Sequence, residues 1–194
     1  MLRFTRSELS HIAISILVLT IAVSGIGPNW PGLTAIGRNI AAVSLPLVAG
    51  FFAHEISHKY TAIRYGYWSV YRMWPLGLLI ALIFGIISSG RVLFAAPGAV
   101  MILTPHITRK ENGLISLAGP LANIVVAIAF YPLTYVGGLV GLMGSFGVFV
   151  NLWLAFFNLL PIGPLDGSKL IQWNPMVWIG LEVVLAASLF TIPF

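Results

Sequence analysis

Residues 54–58 read His-Glu-Ile-Ser-His. On an α-helix, positions i and i+4 share a face. Both imidazoles can therefore grip one ion, with Glu55 beside the coordination position left open. The chemistry this suits is metal-assisted hydrolysis, in which a carboxylate carries a proton for an activated water. With four His and four Glu in 194 residues, random placement gives the pattern about two times in a thousand. Its setting narrows the reading further. Residues 47–53 are apolar and lead straight into the motif. Three ionisable groups in one turn of such a stretch mark function more than a snorkelling helix end, a task for which His and Glu are poorly suited.

A catalytic zinc takes three protein ligands and leaves one position open. The chain has no cysteine, so a thiolate ligand is excluded. The remaining candidates are His11, His106, Glu111, Asp166 and Glu182. Asp166 lies in Asn158-Leu159-Leu160-Pro161-Ile162-Gly163-Pro164-Leu165-Asp166-Gly167. Two prolines break a helix there, and Gly167 permits a tight turn. Broken backbone at membrane depth is tolerated where protein or a water-filled cavity covers it. Taken alone, Asp166 reads equally well as a loop cap.

The elements that must position these groups are membrane spans. The chain is 59% hydrophobic and 8% charged, whereas a soluble domain carries about 25% charged residues. The expected fold is mainly α and polytopic, a single integral-membrane domain over 1–194 with about five to six transmembrane helices. The spans are residues 9–27, 39–64, 113–134, 137–160 and 175–193, the last opened by Asn174-Pro175. A cleaved signal peptide is the alternative for the first. Residues 76–104 are apolar but interrupted by Arg91 and turned at Pro97-Gly98. They read as a membrane-dipping β-hairpin or re-entrant segment. No internal repeat or soluble appendage is expected.

Charge sets the topology. If the N-terminus is cytoplasmic and 76–104 makes no net crossing, the inside carries Arg3, Arg6, Lys59, Arg64, Arg72, Arg91, Arg109, Lys110 and Lys169, and the outside Arg38 alone. This is the positive-inside pattern. The basic residues thus report topology, and nucleic acid is not an expected partner. The same topology brings the inner end of the second span, with His54 and His58, to the depth of the chain just after the fourth, with Asp166. That convergence favours Asp166 as the third ligand.

The chain resembles the site-2 protease family of intramembrane metalloproteases. That family joins a helical HExxH to a distant NxxPxxPxDG, and both occur here without a gap, at 54–58 and 158–167. Gly119-Pro120-Leu121-Ala122-Asn123 supplies a third family-like element in the expected order. The similarity covers residues 40–173; the PDZ-like and CBS appendages of longer relatives are missing. The resemblance implies one zinc per chain held by His54, His58 and Asp166, with Glu55 activating water. It also implies that Asn123 and Asn158 position substrate or stabilise the oxyanion. The expected substrate is a transmembrane protein or peptide, cut in or near its span. The expected site is the cell membrane, with the active centre toward the cytoplasm.

Rival readings are a metal transporter or channel subunit, a non-catalytic scaffold, and a CAAX-type protease. A transporter would show repeats and paired broken helices, and a CAAX-type enzyme a glutamate as third ligand. Asn151 reads as interhelical glue. Glu182 reads as protonated or paired across helices, and His11 and His106 as interfacial. Trp30, Trp68, Trp74, Trp173 and Trp178 fit aromatic belts. The free edge of the expected hairpin, at 100–103, reads as a place where substrate adds as a strand.

Overall fold

The computed structural model describes residues 4–29, 31–92, 94, 97–104 and 106–191. Arg3, Trp30 and residues 93, 95 and 96, which figure in the readings above, lie outside the described residues. The elements run α1 (Arg6–Val23), α2 (Leu33–Arg64), β1 (Trp68–Met73), α3 (Pro75–Ile87), β2 (Gly98–Leu103), α4 (Arg109–Phe130), a 3-10 turn (Tyr131–Tyr135), α5 (Gly138–Leu159), α6 (Asp166–Trp173) and α7 (Pro175–Thr191). The protein is mainly α, and four helices (α1, α2, α4 with its 3-10 turn, and α5) are long and apolar enough to cross a membrane. α3 and α7 are shorter apolar helices.

Local signals begin α1 and α4 a few residues before the expected spans, and α7 at the expected Pro175. Thr5 and Glu8 form a capping box at α1, and Thr108 and Glu111 another at α4, each satisfying two otherwise orphaned backbone donors. Asn174 Oδ1 accepts from the N–H groups of Met176 and Val177 and so caps α7. α2 starts six residues before the predicted span and is 32 residues long, about 48 Å. That exceeds a hydrocarbon core of about 30 Å, so its end carrying His54 and His58 has room to reach the interface.

α2, α4 and α5 pack together at the centre. Contact is close because side chains are missing where backbones meet. A β-carbon on Gly50 of α2 would overlap the Asn151 side chain of α5. Lipid-like surroundings give helices no hydrophobic drive to associate, so close packing and interhelical hydrogen bonds carry the load. α1 packs beside α2 and β1, with Leu19 and Ile12 buried in the main core.

The predicted hairpin around Pro97-Gly98 is corrected. β2 does begin at Gly98, but its partner is β1, antiparallel in the register Trp68↔Leu103 to Met73↔Gly98. The strands are joined by an excursion rather than a tight turn. α3, about 20 Å long, runs along α1 until Gly85 meets Ala22 and the Ser89 hydroxyl accepts from Asn29 N–H at 3.1 Å. The chain then returns, and Trp74 N–H donates to Pro97 O at 2.8 Å. A segment that dips and comes back is therefore present. The Pro-Gly pair opens a strand instead of turning between two.

β1 lies against α1, and its Tyr71 N–H donates to Glu8 Oε1 at 3.1 Å. Glu8 also pairs with the Lys59 ammonium, both residues being buried. Lys59, counted above among the cytoplasmic cations, is thus an internal one. The Tyr71 and Ser15 hydroxyls bond at 2.9 Å. One edge of the two-stranded sheet is thereby fastened to α1. Among the described residues, the outer edge of β2 has no strand partner.

Candidate metal centre

Regular α2 geometry places His54 and His58 on one face, with their Nε2 atoms 2.9 Å apart. Asp166 opens α6, just beyond the Pro161–Pro164 break. Gly167 is needed there because a β-carbon would strike the Leu159 carbonyl. That close approach folds the chain back under α5 and aims the carboxylate at α2. Asp166 Oδ2 lies 3.3 Å from His54 Nε2 and 3.1 Å from His58 Nε2.

The three atoms form a triangle that suits zinc. Tetrahedral ligands at about 2.0–2.1 Å from the ion stand about 3.3 Å apart, close to the observed edges. The tautomers agree as well. His54 Nδ1 lies 2.6 Å from Asn123 Oδ1, and His58 Nδ1 lies 2.7 Å from the Ile115 carbonyl. Each Nδ1 faces an oxygen and carries the proton, so each Nε2 turns a lone pair inward. Asn123 cannot be flipped, because its Nδ2 donates to Gly50 O at 3.1 Å and to Asn151 Oδ1 at 3.0 Å.

Glu55 is buried beside the triangle, and its Oε2 has no hydrogen-bond partner. The centre opens into a cavity of about 490 Å³ lined by Glu55, Asn158, Asp166, residues 98–102 and the α4 side chains Asn112 and Ser116. α4 backs the histidines so closely that a β-carbon on Gly119 would overlap His58 Nε2. This is why a glycine stands before Pro120 in the third motif.

The six site residues read from the sequence therefore gather in one place, but not in equal roles. Asn158 lines the cavity and donates from Nδ2 to Leu154 O at 2.8 Å. Asn123 is fully buried behind His54, and its polar atoms are spent on His54, Gly50 and Asn151. Its geometry fits orienting a ligand imidazole, not touching substrate. Asn151 extends that chain of bonds to the Pro46 and Gly147 carbonyls at 3.3 and 2.9 Å. Sequence reading took Asn151 for glue and missed its link to His54. Its only signal was an amide in an apolar helix, two turns before Asn158. Glu182 sits on α7, and neither it, His11 nor His106 lines the cavity.

Helices long and apolar enough to cross a membrane surround a His–His–Asp triangle that could hold a metal, and the relatives are named as zinc metalloproteases. The chain is 40% identical to a candidate zinc metalloprotease of Methanocaldococcus jannaschii over 187 residues, covering 94% of this chain and 93% of the relative. It is 28% identical to the candidate zinc metalloprotease Rip2 of Mycolicibacterium smegmatis over 88% of this chain and 73% of the relative. It is also 28% identical to the candidate zinc metalloprotease YwhC of Bacillus subtilis, over 66% of each. No family model matches, and no solved structure matches. The chain belongs to the site-2 protease family of zinc metalloproteases. Zinc is accordingly the metal, and His54, His58 and Asp166 form a group that could hold it.

Proposed function

We propose that the protein hydrolyses peptide bonds within or beside transmembrane segments of membrane-protein substrates, with its centre toward the cytoplasmic face. The observation that carries this reading is the buried triangle of His54 and His58, on a membrane-long helix, with Asp166 of α6, opening on a cavity walled by a strand edge that has no strand partner among the described residues. His54, His58 and Asp166 hold the zinc. Bound zinc polarises the scissile carbonyl and makes water a nucleophile at neutral pH. Glu55 accepts the proton of the attacking water and delivers it to the leaving amine, a role its place beside the triangle permits. Asn158 has a second amide hydrogen to offer where negative charge develops on the carbonyl oxygen.

A spanning helix conceals its peptide bonds in its own hydrogen bonds, so it must unwind before any cut. Each group left unpaired in an apolar medium costs several kcal/mol. The outer edge of β2 supplies replacement partners if the substrate adds to it as a strand. Cysteine-free vesicles carrying this protein and a single-span substrate test both points. Glu55→Gln should keep zinc and fold but lose cleavage by several orders of magnitude; near-wild-type cutting would exclude Glu55 as the base. Proline at 99, 101 and 103 and at 100 and 102 forms two series. One removes donors toward β1 and unfolds the sheet, and the other removes donors toward the cavity and slows cleavage only. Normal cutting by both refutes strand addition.

A further inference from the structure

Arg72 is the charged group at the cavity that the chemistry above leaves unused. It lines the cavity from β1, is exposed, and its guanidinium has no hydrogen bond or ion pair with any described residue. Its neighbour Tyr71 is tied to Glu8, which pairs with Lys59, the residue after ligand His58. The sheet at Arg72 therefore lies at the depth of the metal ligands. His58 stands about 9 Å of helix inside the end of α2 at Arg64. An unpartnered guanidinium lining the cavity is available to a carboxylate brought into it. The other charged groups lining the cavity are engaged or assigned. Lys169 donates to Pro164 O at 2.8 Å and lies 3.7 Å from Asp166 Oδ1, and Glu55 and Asp166 belong to the centre.

The register says where a partner would stand. Arg72 pairs with Ala99, and paired residues project on the same face of a sheet. The next residue in that rank belongs to whatever strand adds outside β2. Two strand spacings are about 10 Å, a span that an arginine and an aspartate or glutamate cover together. The short Ala99 side chain leaves the path over β2 open. Every other rank on this face is closed by a bulky side chain, Met101 opposite Val70 and Leu103 opposite Trp68.

We infer that Arg72 is a specificity-determining residue that recognises a carboxylate side chain on the substrate in the rank of Ala99. The substrates it favours are membrane segments with an aspartate or glutamate near the scissile bond. This rests on the strand-addition reading above, and the test separates the two. A single-span substrate with a mapped cut is given Glu, Gln or Lys at each position around that bond, and kcat/KM is measured in vesicles. At one position the wild type should prefer Glu to Lys by about tenfold or more. Arg72→Gln should flatten that preference and Arg72→Glu should invert it, with zinc content and thermal unfolding confirming that each variant is intact. A flat scan in the wild type, or a Glu preference that Arg72→Glu does not invert, overturns the assignment. Proline variants of β2 that slow cutting of the Gln substrate while the scan is flat would retain strand addition and remove Arg72 alone. Proline variants that all cut normally would remove both.

Discussion

Replacing Asn123 separates two roles that a buried amide near a metal centre can play. Asn123→Leu keeps roughly the side-chain volume but deletes the acceptor on His54 Nδ1 and both donors, toward Gly50 O and Asn151 Oδ1. Nothing nearby can replace them, since Asn123 is fully buried. Outer partners of ligand imidazoles are worth about 10–100-fold in metal affinity, or about 1.4–2.7 kcal/mol. The variant should therefore bind zinc about 10–100-fold more weakly, while KM at saturating zinc stays at the wild-type value. Asn151→Leu, acting through Asn123, should lose less than about tenfold. The double variant should lose less than the two single losses combined, because the groups form one chain. Competition with a fluorescent chelator gives the affinities, and a reconstituted cleavage assay gives KM. Wild-type zinc affinity with a raised KM would show that Asn123 meets substrate and that the positioning argument is wrong.

Three further outcomes are expected. Glu8→Gln leaves the Lys59 ammonium buried without its carboxylate and should cost about 3–5 kcal/mol, most of it recovered in Glu8→Gln/Lys59→Met; unfolding in detergent measures this, and a single variant as stable as wild type would refute it. Gly119→Ala places a methyl against His58 Nε2 and His54 Cε1 and should weaken zinc binding at least about tenfold with the helices intact, read as zinc per chain and circular dichroism. With Tyr65 and Val136 exposed at opposite ends of the bundle, a cysteine at 65 should label from the cytoplasm and one at 136 from outside, in line with the positive-inside count; reversed labelling would invert the topology.

The site was legible in the sequence because its chemistry is local or directional. The His54–His58 spacing follows from helix geometry, and Asp166 was placed by the direction of two spans. The spans expected at 9–27, 39–64, 113–134 and 137–160 were visible as apolar runs with their ends displaced, whereas the run at 175–193 is a shorter apolar helix, Pro175–Thr191. The strand pairing was not. Pro97-Gly98 is a local turn signal, whereas the pairing of Arg72 with Ala99 is non-local, and nothing in either stretch names the other. The Glu8–Lys59 pair was hidden for the same reason: Lys59 read alone as a cytoplasmic cation, and nothing near it in the chain names Glu8. For Asn123 the motif fixes its order in the chain but not which side of the His54 imidazole it occupies.

The separation of His58 from Asp166 along the chain also governs when the protein can become dangerous to its surroundings. The first two ligands leave the ribosome about a hundred residues before the third, a delay of about 5–20 s at ordinary rates of synthesis. During that interval α2 offers two imidazoles and a carboxylate but no closed triangle, and α4, which supplies the Ile115 and Asn123 acceptors, arrives only about halfway through it. The nascent protease is inert by construction. The triangle can close only once the chain after α5 has brought Asp166 back under the bundle.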